Sequence, residues 1–127
     1  MTRSPRTPPS RGAAAALAVA IARGLTRPAQ RVHVAGRSML PALAPGDRLV
    51  VVRRRRIRPG HIVAVGDPRT GRVLVKRVAA LDGGGVTVVG DNLAESTDSR
   101  TFGPVSRPAV LGVAVYRYAP AARAGRL

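Results

Sequence analysis

From residue 31 onward the chain runs in short valine-rich stretches closed off by Gly, Pro and Asp, and this punctuation limits its fold more than any other feature. The stretches are "RVHVA" at 31–35, "RLVVV" at 48–52, "HIVAV" at 61–65, "RVLVKRVAAL" at 72–81, "GVTVVG" at 85–90 and "AVLGVAVYRY" at 109–118. Each is rich in β-branched residues, which fit a pleated, half-buried surface. Turn sequences such as "APGD", "RPGH", "DPRTG" and "DGGG" fall between most of them. Regular short strands without intervening helices predict a mainly β domain, an antiparallel sheet curled into a small sandwich or barrel. No internal repeat is present.

At 127 residues the chain has room for one compact domain and a short appendage. Residues 1–12, "MTRSPRTPPSRG", lack an apolar period and read as a disordered basic tail. Residues 13–30 begin with "AAAALAVAIARGL", strong helix formers with Gly24 near the end, and read as a short Ala-rich helix and linker. The uncharged stretch from 12 to 22 would make about 16 Å of helix against a hydrocarbon core of about 30 Å, too short to span a bilayer. Four readings stand for this segment: a packed or frayed helix, a peripheral membrane contact, a cleavable export signal, or a misassigned start. The domain proper is placed at 31–120, with a C-terminal tail at 121–127.

The formal charge of +16 favours acidic partners without choosing among phosphate surfaces, anionic headgroups and simple solubility. Tyr and Phe together number only three, with no Trp, so there is no aromatic platform for stacking bases and no specific nucleic-acid partner is expected. The arginine run at 53–56 reads as a solvated loop between strands that can also meet an anionic surface. Cysteine is absent, which excludes disulfides and a thiol nucleophile. His33 and His61, the two histidines, have no carboxylate cluster beside them in sequence, and no dedicated metal site is expected.

Lys76 is the one lysine among 22 Lys+Arg. Codon bias toward arginine explains the other cationic positions; a retained lysine points to a place where an amine that can be neutralised is needed. Strand alternation puts Leu74, Lys76 and Val78 on one face and Val73, Val75 and Arg77 on the other. Against apolar neighbours the amine loses hydration of its charged form and can serve as a general base near neutral pH. From this strand alone, an edge lysine snorkelling to water is the favoured reading.

Two further segments carry chemistry. In "GRSMLPALAPGDRLVVV", Ser38 follows a strand, with Gly36 two residues before it, Pro41 stiffening the chain after it, and Met39 and Leu40 as apolar anchors. In "GDNLAESTDSRTFGPV", residues 90–105, lie Asp91, Glu95 and Asp98, half of the chain's six acids. Asp98 and Arg100 can pair there, and the Ser96 hydroxyl can fix a nearby amine. The acid spacing does not match a Ca²⁺-binding EF-hand.

These three segments, in this order, resemble the nucleophile, lysine and Gly-Asp-Asn/Ser-x-Asp-Ser-Arg boxes of the signal peptidase I family of Ser/Lys proteases, over roughly residues 32–120. The resemblance implies the signal peptidase/LexA-like β fold, with Ser38 as nucleophile and Lys76 as general base. It implies that Ser96 orients the amine, that Asp98 and Arg100 form a supporting ion pair, and that Gly90, Asp91 and Asn92 give support. The Ser38 backbone N–H, with a contribution around Gly36, would form the oxyanion hole. It implies a protein substrate carrying an N-terminal signal or propeptide, with small residues near the cleavage site, and neither a metal nor an organic cofactor.

Three departures from the family pattern stand out. Ala42 occupies a position often held by Thr, His61 one usually held by Asp, and few residues separate the lysine box from the last box. That compactness is similar to the nickel-type superoxide dismutase maturation proteases, with a cytoplasmic or peripherally membrane-associated location and no clear transmembrane span. The competing readings are a non-catalytic basic binding module, for nucleic acid or peptide, and, ranked last, self-cleavage of the LexA type.

Overall fold

The structure is a computed structural model that describes residues 29–54 and 56–127. The expected tail at 1–12 and the Ala-rich helix lie outside the described residues, as does Arg55 of the arginine run. Among the described residues eight strands are present: β1 (Ala29–His33), β2 (Arg48–Val52), β3 (Ile62–Gly66), β4 (Val73–Asp82), β5 (Gly85–Val89), β6 (Val105–Ser106), β7 (Val110–Ala119) and β8 (Gly125–Arg126). The same residues also form a single turn of helix, α1 (Ser99–Phe102), and three short 3₁₀ turns.

All strand pairs are antiparallel, in the order β1-β2-β7-β3-β4-β5-β6, and the sheet curls into a half-barrel. The curl has local causes. Register shifts interrupt β2–β7, β3–β7 and β4–β5, and each such irregularity adds twist and bends its strand. Where β2 lies on β7, a Cβ at Gly112 would stand 2.7 Å from Val52 O and 2.7 Å from Val51 Cγ1, so only glycine admits this approach.

The six valine-rich runs form the six longer strands, with ends displaced by one or two residues. Ala29 and Gln30, read as the end of a linker, are the first residues of β1 and pair with Val52 and Val51. The expected C-terminal tail is a correction of a different kind. Residues 121–123 turn, and β8 pairs with β7 at Tyr116↔Arg126 and Arg117↔Gly125. The ten-residue β7 outruns five-residue β3, whose pairing ends at Val113, and β8 takes up the backbone groups left over.

Among the described residues two larger hydrophobic clusters lie on opposite faces of β3, and a third, smaller one gathers Val50, Val52 and Tyr116. Alternation along β3 separates the first two: Val63 and Val65 enter one cluster with Ile57, Val78, Val86 and Val88, while Ile62 and Ala64 enter the other with Val34, Met39, Leu43 and Leu49. An all-apolar run with a side-chain period of two must bury both faces. Full burial of Met39 and Leu43 holds the 38–44 turn to the second core, each side chain contributing about 1.5–3 kcal/mol.

Two turns are built alike. Ala44-Pro45-Gly46-Asp47 and Arg58-Pro59-Gly60-His61 each place Pro before a glycine of positive φ, 91° and 92°. In each, the last residue's N–H donates to the first carbonyl, at 3.0 and 3.1 Å. The last side chain then accepts from the first N–H: Asp47 Oδ2 from Ala44 at 2.9 Å, and His61 Nδ1 from Arg58 at 3.1 Å. Burial and the charges of Arg54 and Arg58 lower the His61 pKa, keeping the ring neutral and Nδ1 able to accept. A neutral imidazole thus does here what a carboxylate does in the first turn.

Candidate active site

β4 is an interior strand, flanked by β3 and β5, so Lys76 is not an edge residue. It stands opposite Val63 with only 3 % of its surface exposed. Leu74 and Val78 pack on the same cluster as Val63, while Val75 packs on the other face. Burial lowers the Lys76 pKa; the Asp98 carboxylate opposes this and Arg100 adds to it, and the net direction is down.

The amine donates to Ser96 Oγ at 3.0 Å, and Ser96 Oγ donates to Asp98 Oδ2 at 2.6 Å. Asp98 is fully buried and receives four further donors. Gly90 N–H reaches Oδ2 at 2.9 Å, Arg100 N–H and Nε reach Oδ1 at 3.1 and 2.9 Å, and Arg100 Nη2 reaches Oδ2 at 3.2 Å. Burial by itself raises the Asp98 pKa. The hydrogen bonds from Arg100, Ser96 and Gly90 outweigh it and hold the carboxyl well below its ordinary range. A fixed anion therefore orients the Ser96 hydroxyl so that its oxygen faces Lys76. Asp98 also caps α1 through its bond to Arg100 N–H, which ties the ion pair to the local chain path.

Ser38 is half-buried in the turn after β1, beside fully buried Met39. Its carbonyl accepts from Asn92 N–H at 2.8 Å. A Cβ built on Gly90 would stand 2.6 Å from Ser38 O and would overlap Ser96 Oγ. Ser38 and Ser96 thus meet across a gap that one methyl group would fill. Gly90 and Asn92, assigned from the sequence only as general support, are the residues that join the two loops. Lys76 donates to Ser96 and not to Ser38; among the described residues no hydrogen bond links the Ser38 hydroxyl to the amine. Gly36 is exposed with open space where a Cβ would stand.

A second bracket lies outside this gap. Asn92 Nδ2 donates to Arg37 O at 3.1 Å and to Glu95 Oε2 at 2.9 Å, and Arg37 Nε donates to Glu95 Oε2 at 3.0 Å. On the other side of β4, Arg77 grips both oxygens of Asp91, each at 2.8 Å. Sequence reading missed the Arg37–Glu95 and Arg77–Asp91 pairs, because partners 58 and 14 residues apart leave no local pattern.

The family model described as "Signal peptidase, peptidase S26" matches residues 10–89 and 84–119. The chain belongs to that family. A relative, the mitochondrial ATP-independent inner membrane protease subunit 1a of Arabidopsis thaliana, is 35% identical over 116 residues, covering 69% of each chain. Family and relative together mark this signal peptidase family member as a peptidase acting on protein. Among the described residues no helix is long and apolar enough to cross a membrane.

Proposed function

We propose that this signal peptidase family member is a serine endopeptidase in which Ser38 is the nucleophile and neutral Lys76 the general base. One observation carries the reading: the only lysine is buried in an interior strand, its amine donates to Ser96, which Asp98 holds in turn, and Ser96 faces the carbonyl of Ser38 across Gly90. In the proposed reaction Lys76 Nζ takes the Ser38 hydroxyl proton as Oγ bonds to the scissile carbonyl carbon. The Ser38 N–H, with the open space at Gly36, receives the oxyanion. The resulting ammonium returns its proton to the leaving nitrogen, the C–N bond breaks, and an ester to Ser38 remains. Lys76 then deprotonates water, which attacks the ester and frees the serine.

The proposed substrate is a protein with an N-terminal signal or propeptide and small residues near the cut, the propeptide of nickel-type superoxide dismutase being the specific candidate. Its support is the short link between lysine box and last box, a β4–β5 hairpin turned on Gly83 and Gly84, both of positive φ. The proposed location is cytoplasmic or peripherally membrane-associated, and the relative named for an inner membrane supports the second.

The test is cleavage of a propeptide-bearing substrate by purified protein, followed by N-terminal sequencing. Ser38→Ala and Lys76→Arg should each abolish cleavage while the protein remains folded. Wild-type rates in either variant would remove the dyad, and equal function without any cleavage would favour a binding module.

A further inference from the structure

The chain has six acidic residues, and five are paired with arginines outside residues 53–58. Asp47 is held by Arg117 and Arg123, Asp67 by Arg69, Asp91 by Arg77, Glu95 by Arg37 and Asp98 by Arg100. The β2–β3 loop concentrates cations instead. Arg53 and Arg54 leave β2 and, with Arg107 from the 3₁₀ turn after β6, line a depression of about 360 Å³. Among the described residues its remaining walls are apolar, including Ile57, Pro108 and Val110, and no carboxylate lines it. Arg53, Arg54 and Arg107 are exposed, as are Arg56 and Arg58 of the same loop, while Ile57 and Val110 are buried and form the floor.

Guanidinium groups gathered around a concavity of low dielectric create a focused positive potential, and their planar forks match phosphate oxygens two at a time. The apolar floor adds a place for the carbon atoms next to a phosphate. The size fits one headgroup and not a tracked polynucleotide backbone. Base stacking has no platform among the described residues. Tyr116 is buried, Phe102 lies 5.5 Å under Arg69, and Tyr118 lies 5.9 Å under Arg31.

We propose that this depression binds the phosphate headgroup of an anionic phospholipid and so docks the protein on a membrane surface. The inference deepens the peripheral membrane contact proposed above and is independent of the Ser38–Lys76 chemistry.

The experiment is co-sedimentation of the full chain with vesicles of phosphatidylcholine alone or mixed with phosphatidylglycerol, at constant ionic strength. The protein should partition to the mixed vesicles and not to the neutral ones. With each arginine near an anionic surface giving about a fivefold gain, the combined change R53S/R54S/R107S should lower partition roughly 100-fold. The charge-matched change R48S/R72S/R126S, at exposed positions elsewhere, should lower it much less. The combined change to lysine keeps charge and should retain most binding, which separates a lost site from a lost fold. Ser38→Ala should bind vesicles as wild type does, so a failed dyad leaves this result intact.

Equal losses in the two serine sets, or no preference for phosphatidylglycerol, would overturn the proposal. Displacement by soluble glycerol phosphate at concentrations too low to screen charge would reassign the depression to a free phosphate ester. Tighter binding of duplex DNA through the same three arginines would reassign it to nucleic acid.

Discussion

Ser96 Oγ stands between Lys76 Nζ at 3.0 Å and Asp98 Oδ2 at 2.6 Å, so its single proton has one place to go. The carboxylate takes it, and the hydroxyl oxygen is left to accept from the amine. That direction decides what substitutions at Ser96 and Lys76 will do. Cleavage by the wild type should rise with pH as Lys76 loses its proton, with an inflection below the ordinary 10.5 because burial lowers the pKa. Ser96→Ala should cut kcat roughly 10- to 100-fold and move that inflection, with little change in KM, since an amine without its acceptor is misoriented rather than absent. A pH–rate profile of both proteins checks this, and an unmoved inflection would separate Ser96 from the base.

Gly90→Ala introduces a methyl group between Ser38 O and the Ser96 hydroxyl, where a Cβ lies only 2.6 Å from that carbonyl. Both loops must part. A loss of about 1–3 kcal/mol by denaturant titration is expected, together with a fall in kcat larger than that of any surface Gly→Ala change. Gly36→Ala, with open space at the same position, is the matched control for stability.

Asp98→Asn removes a buried anion that holds Arg100, Ser96 and Gly90, and should cost about 3 kcal/mol at neutral pH, the lower end for buried pairs because Arg100 is partly exposed. The folded pKa of Asp98 is depressed. Its contribution is therefore complete above the ordinary carboxylate value of 3.8 and is lost as pH falls from there through the lowered folded value. Wild type and variant should converge in stability in acid; thermal melts across pH measure the convergence.

Two ion pairs near the Ser38 turn should differ sharply. Asp47, 1 % exposed, holds Ala44 N–H, Arg117 and Arg123, and Arg117 also donates to Ala42 O at 3.0 Å. Asp47→Ala should cost about 3 kcal/mol and loosen the 38–47 turn. Arg37 and Glu95 are 66% and 49% exposed, so Arg37→Ala should change stability by about 0.5 kcal/mol or less. Denaturant midpoints at matched slope settle the comparison.

Much of this could be read from the residues in order. Valine-rich runs of period two dictated the six longer strands, and the two Pro-Gly turns carried their own geometry in sequence. β6 and β8 could not be read, because two residues have no period and Val105–Ser106 and Gly125–Arg126 pair only where neighbouring strands leave backbone groups open.

The residues of the candidate site were legible as well, since a lone lysine among 22 basic residues, a serine before Met-Leu-Pro and a dense acidic loop each stand out locally. The sequence by itself determined the β architecture and which side chains could do acid–base work. Only the tertiary structure decided that β4 is interior, so that Lys76 is dehydrated rather than snorkelling, and that Gly90 lets Ser38 and Ser96 meet. The physical reason is that residue type and period are properties of neighbours along the chain, whereas desolvation and steric clearance depend on segments far apart in sequence. The carboxylate of Asp98 shows the difference: its charge is written in one residue, but its low pKa and its hold on Ser96 exist only once Gly90, Ser96 and Arg100 are folded around it.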